Sequence, residues 1–96
     1  MILMESGRLE ACARQAYDAI FEDRSSVEID GETYHLEHTR GGLRKFSIEG
    51  ITFMEQNPDK DSVWAEKARE GSQIMWAMKG RQYLARVMDG KFLKLK

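Results

Sequence analysis

The sequence predicts an α+β fold: an N-terminal helix packed on an antiparallel meander sheet of about six or seven strands, free to curl towards a half-barrel, with one short helix between two meanders. Three observations carry this expectation. Apolar residues recur at helical spacing near the N-terminus, and glycine turns punctuate alternating segments over most of the remainder. A turn cluster followed by a second, shorter helical pattern separates the two groups of hairpins.

The first helix is read from Ser6 to Arg24. Leu9, Cys12, Ala13, Ala16, Tyr17, Ile20 and Phe21 fall at intervals of three and four, which puts them on one face, while Arg8, Glu10, Arg14, Gln15, Asp18 and Glu22 take the other. Ser6 is the candidate N-cap, weakened by Gly7 in the first turn.

The period then becomes twofold. Asp30-Gly31 lies between the alternating segments of Val27 to Tyr34, and a tight type I′ turn needs two residues at positive φ, which such a pair tolerates. Pairing across it sets Ile29 opposite Glu32 and Val27 opposite Tyr34, with Val27, Ile29, Tyr34, Leu36 and His38 sharing one face. Glu49-Gly50 likewise pairs Ile48 with Ile51 and Phe46 with Phe53, leaving Ser47 and Thr52 together on the other side. Lys79-Gly80 is expected to set Trp76 opposite Tyr83, and Asp89-Gly90 to set Val87 opposite Phe92.

Between these hairpins, Asn57-Pro58-Asp59-Lys60-Asp61-Ser62 reads as a turn cluster, and Val63 to Glu70 as a short helix capped by Asp61 or Ser62 and ended at Gly71. Trp64 and Ala68 would pin it to the sheet. The stretch from Ile74 to Met88 fits two patterns, since Ile74, Ala77, Met78, Leu84, Ala85 and Met88 also trace a helical stripe. Gly80 interrupts that stripe, and a helix would leave the closing KFLKLK without a neighbouring strand, so a hairpin is preferred. KFLKLK itself reads as a terminal strand. Phe92, Leu93 and Leu95 would each contribute roughly 1.5–3 kcal/mol when fully withdrawn from water, and lysines at 91, 94 and 96 suit an edge.

Composition sets the class. A chain of 96 residues, 42% apolar and 32% charged, reads as one soluble globular domain over residues 1–96, not as a membrane or disordered chain. The opening MILM is too short for a signal-peptide core and runs straight into Glu5, and Cys12 has no second cysteine to pair with. Both features point to the cytoplasm. The net charge of −1 is uneven: residues 1–39 hold three basic and nine acidic groups, residues 40–96 twelve and seven.

Catalytic, cofactor and metal chemistry find no candidate. His35 and His38, three apart on a strand, point to opposite faces and do not share an ion. Cys12 sits in an alanine-rich stripe, where a buried, inert thiol is the rule. Glu28, Glu37, Glu49, Glu55 and Glu66 fall on expected outward faces.

Two binding readings follow. The first is a non-enzymatic protein-interaction domain that forms a homodimer or binds another protein. Here Ile74, Trp76, Met78, Tyr83, Ala85 and Val87 make one apolar strand face, and Met75, Ala77, Leu84 and Met88 make the other, more than one helix can cover. Met75, Ala77, Leu84, Met88, Leu93 and Leu95 are its candidate interface. The second is binding of single-stranded RNA or DNA through the glycine-containing loop Thr39 to Lys45 and the C-terminal strands, with Arg40, Arg44, Lys45, Lys79, Arg81 and Lys94 as phosphate contacts. A sequence pI near 6.1 weighs against the second.

Overall fold

The amphipathic stripe folds as helix α1, Ser6–Phe21, and the rest of the architecture is arranged around its apolar face. The computed structural model describes residues 6–95; the MILM opening, Glu5 and Lys96 lie outside the described residues, as does the side chain of Ser6. After α1 come strands β1 (Ser26–Ile29), β2 (Glu32–His35), β3 (Glu37–His38), β4 (Arg44–Ile48) and β5 (Ile51–Glu55). Helix α2 (Val63–Arg69) separates these from β6 (Ile74–Lys79), β7 (Gln82–Met88) and β8 (Lys91–Lys94). The expected α+β class with an antiparallel meander and a short intervening helix is therefore observed.

Helix α1 stops earlier than its pattern extends. Asp23 adopts φ of 55°, and the Arg24 amide donates back to the Ala19 carbonyl at 2.9 Å, a left-handed end in which an aspartate stands where glycine is usual. The strands divide into a two-stranded sheet, β1–β2, and a six-stranded open sheet in the order β3-β4-β5-β6-β7-β8. Leu36 is the crossing point. Its amide still bonds the Ser25 carbonyl at 3.0 Å, but Glu37 and His38 pair with Lys45 and Arg44, so one extended segment serves both sheets.

Three of the hairpins carry the expected turns and registers. Asp30-Gly31, Glu49-Gly50 and Asp89-Gly90 have positive φ at both positions, and the pairs Ile29–Glu32, Val27–Tyr34, Phe46–Phe53, Ile48–Ile51 and Val87–Phe92 all form. The β6–β7 hairpin differs. Its turn is Gly80-Arg81 with positive φ at Gly80 alone, so Lys79 pairs with Gln82, and a bulge between Ala77 and Met78 shifts the register again. Trp76 consequently faces Arg86 and not Tyr83, which pairs with Met78.

The inner face of the large sheet presents Phe46, Ile48, Ile51, Phe53, Met75, Ala77, Ala85 and Val87 to α1, and Val27 and Ile29 of the small sheet close the same cluster. Phe46 stacks on Phe53 at 6.0 Å and takes the edge of Tyr34 at 5.5 Å. His38, expected with this face, is exposed because β3 is a two-residue edge strand beyond the cluster.

Arginines lock the periphery. Arg8 of α1 spans the tips of two hairpins, bonding Asp30 at 2.5 Å and Glu49 at 2.9 Å. Arg44 bonds Glu55 at 2.9 Å, Asp23 at 2.6 Å and the Ile20 carbonyl, joining the end of α1 to β4 and β5. Glu55 also accepts the Arg44 amide at 2.6 Å, so it is a half-buried partner and not the solvated outward carboxylate expected from sequence. Of these ion pairs, Arg8–Glu49 and Arg44–Asp23 join the first part of the chain to the second.

Candidate interaction surface

The face of the large sheet turned away from α1 is built from the residues alternate to the core. Across it runs a row from Lys45 through Met54, Trp76 and Arg86 to Leu93, each paired with the next on the neighbouring strand. A second row runs Ser47, Thr52, Met78 and Tyr83. Helix α2 covers only one end of this face.

Residues local to the Asn57–Ser62 turn place α2. Ser62 caps the helix by accepting the Ala65 amide at 3.1 Å, and Arg69 donates to the carbonyls of Pro58 and Lys60. Ala65 is fully buried, and Trp64 is directed onto Trp76, edge to face at 5.5 Å. Trp76 meets Tyr83 in the same manner at 5.1 Å, while its indole N–H donates to Gln56 Oε1 at 2.6 Å. The polar atom of Trp76 is thus satisfied inside the protein, leaving its ring as apolar surface.

A groove of about 550 Å³ opens beside this cluster. Met54, Trp64, Trp76, Met78 and Tyr83 form its apolar wall, with Lys60 and Asp61 at the polar rim. Such a volume and lining are typical of sites that receive an apolar side chain or small molecule. The Arg86 guanidinium, which does not line the groove, lies 4.2 Å over the Trp64 ring and 5.7 Å from that of Trp76.

The predicted interface residues separate. Met75 and Ala77 are wholly buried under α1, so they belong to the core and offer no surface; the shifted β6–β7 register sends Ala85 and Val87 to the same side. Leu84 is half-buried and packs on the core from the bulge. Met88 and Leu95 are half-buried, and Leu93 is 48% exposed. Trp64 packs on the sheet as its place in the short helix implied, whereas Met54, Gln56 and Arg86 were not singled out from sequence. An arginine inside an otherwise apolar strand was the available signal for the last of them.

The predicted phosphate contacts are not gathered in one place. Arg40, Arg44 and Lys45 lie where β4 begins, whereas Lys79 and Arg81 flank the turn at the opposite end of the sheet, roughly 17 Å away at about 3.3 Å per strand residue. Lys94 pairs with Ala85 towards that second end. The guanidinium of Arg44 is engaged by two carboxylates and a carbonyl. Two amides of the glycine loop are already engaged: Gly42 donates to the Thr39 carbonyl at 3.0 Å and Leu43 to Thr39 Oγ1 at 3.1 Å.

Burial raises the Cys12 thiol above its ordinary range, the opposite of what a nucleophile needs. Among the described residues no group of three or more His, Cys, Asp or Glu is arranged to hold a metal ion, and no helix is long and apolar enough to cross a membrane. The chain matches no known protein family, curated protein or solved structure in comparison.

Proposed function

We propose that this chain is a non-enzymatic, cytoplasmic protein-interaction domain that self-associates through the outer face of its six-stranded sheet. The observation that supports it is the cluster of Trp64, Trp76 and Tyr83, with Leu93 exposed beside it, on the face that α1 does not cover. Trp, Tyr, Met and Arg are the residues enriched where protein surfaces meet; here Trp, Tyr and Met line one groove, and Arg86 lies over one of its tryptophans. Edge-to-face packing leaves few ring faces open for bases to stack upon, which favours a protein over a single-stranded nucleic acid.

Sedimentation velocity from micromolar to millimolar concentration tests this reading. Wild type is expected to shift from monomer to dimer, and Tyr83→Lys with Leu93→Lys to remain monomeric without a change in unfolding midpoint. A wild-type monomer at every concentration contradicts self-association. Steeply salt-dependent binding of a single-stranded oligonucleotide, weakened by Arg81→Ala or Lys45→Ala, would favour the nucleic-acid alternative instead.

A further inference from the structure

Of the three half-buried arginines among the described residues, two are saturated: Arg8 by Asp30 and Glu49, Arg44 by Glu55 and Asp23. Arg86 is the third. It lies over the Trp64 ring and near that of Trp76, and no hydrogen bond or ion pair to a described residue occupies its N–H donors. Its cross-strand neighbours, Trp76 and Leu93, are both apolar and supply no acceptor side chain. A guanidinium held over aromatic rings with its N–H donors unoccupied is suited to receive a carboxylate.

The same face carries the complementary group. Asp61 lines the groove that the tryptophans also line, is exposed, and makes no ion pair with a described residue. Trp64 and Trp76 contact Arg86 and also line the groove that Asp61 rims, and no ion pair joins Arg86 to Asp61 within one molecule. A twofold contact has the property that residue i of one copy meets residue j of the other and the reverse. A twofold axis passing between Arg86 and Asp61 on this face would bring each Arg86 to the other copy's Asp61.

We infer that the occupant of the outer face is a second copy of this chain, joined by reciprocal Arg86–Asp61 pairs beside the aromatic cluster. This rests on the self-association proposed above and names the contacts that would set its register. Charge pairing across an interface selects orientation and excludes mismatched partners more than it adds affinity. The inference therefore concerns which dimer forms.

Charge reversal tests it. Sedimentation equilibrium would compare wild type, Arg86→Asp, Asp61→Arg and the double variant carrying both, with the unfolding midpoint of each measured alongside. Either single reversal is expected to weaken dimerisation by about tenfold or more, and the double variant to recover most of that loss. Because Asp61 is exposed, its variant reports on association even if Arg86→Asp proves poorly folded. A wild-type dimer indifferent to Asp61→Arg, or a double variant no better than the two single losses combined, overturns the pairing and leaves outer-face association standing. A wild type that is monomeric throughout removes both.

Discussion

Ile20 lies on the stripe of α1, fully buried in the cluster that joins the helix to both sheets. Ile20→Ala removes an ethyl and a methyl branch, worth roughly 2.4 kcal/mol at about 0.8 kcal/mol for each buried carbon. If a cavity of about 50–80 Å³ persists, it adds about 1–2 kcal/mol at ~24 cal/mol per Å³, for a total near 3.5–4.5 kcal/mol before relaxation. Partial collapse of the surrounding side chains lowers this towards about 3 kcal/mol. Urea unfolding followed by circular dichroism reads the loss directly, and thermal unfolding should fall by roughly 15–30 °C in a domain of this size. Val63→Ala, at a position 63% exposed, is the control and is expected to cost under about 0.5 kcal/mol. An Ile20→Ala loss as small as the control's would mean that α1 is not packed on this core.

Arg44→Met would leave Glu55 half-buried without its guanidinium and free the Ile20 carbonyl, lowering stability by about 1–3 kcal/mol in the same urea assay; an unchanged midpoint would show that the link is dispensable. Ser62→Ala removes the α2 cap at a cost of about 1 kcal/mol and should change tryptophan emission, since α2 positions Trp64 over Trp76. Cys12 should resist a disulfide reagent in the native state and react only after unfolding; rapid stoichiometric labelling of folded protein would contradict its burial. Its raised folded pKa means that folding favours the protonated thiol. That stability is present below the ordinary thiol range and is lost as pH rises through the folded value. Cys12→Ala should remove part of the alkaline loss, with Tyr17, also raised by burial, supplying more at higher pH.

The parts of the fold that pattern reveals are those where side-chain period and turn chemistry agree. Asp30-Gly31, Glu49-Gly50 and Asp89-Gly90 each hold two residues at positive φ, and the alternation around them fixed register and face together. Gly80 misled because it is the first central residue of its turn, with Arg81 the second, and a bulge added one more unpaired residue. Displacing the turn keeps the faces, but the extra residue of the bulge exchanges them along β7, which is why Ala85 and Val87 were grouped with Trp76 instead of with Met75 and Ala77, and why Arg86 was not seen to join the tryptophans. The division into two sheets left no mark either, since alternation runs on unbroken through Leu36 while its hydrogen-bond partners change. Trp64 was legible because a large aromatic early in a short capped helix has little else to cover. The Arg44–Glu55 pair was not, being a contact made only when two strands are laid side by side.

The outer face as the contact surface can be tested by paramagnetic relaxation from a soluble gadolinium chelate, read by NMR in dilute and concentrated solution. Concentration should shield the indole N–H of Trp64 and the ring and methyl signals of Tyr83 and Leu93, while Ala11, Arg14 and Gln15 on the outside of α1 stay equally accessible. Unchanged accessibility of the aromatic cluster at every concentration, or shielding confined to α1, would contradict the account.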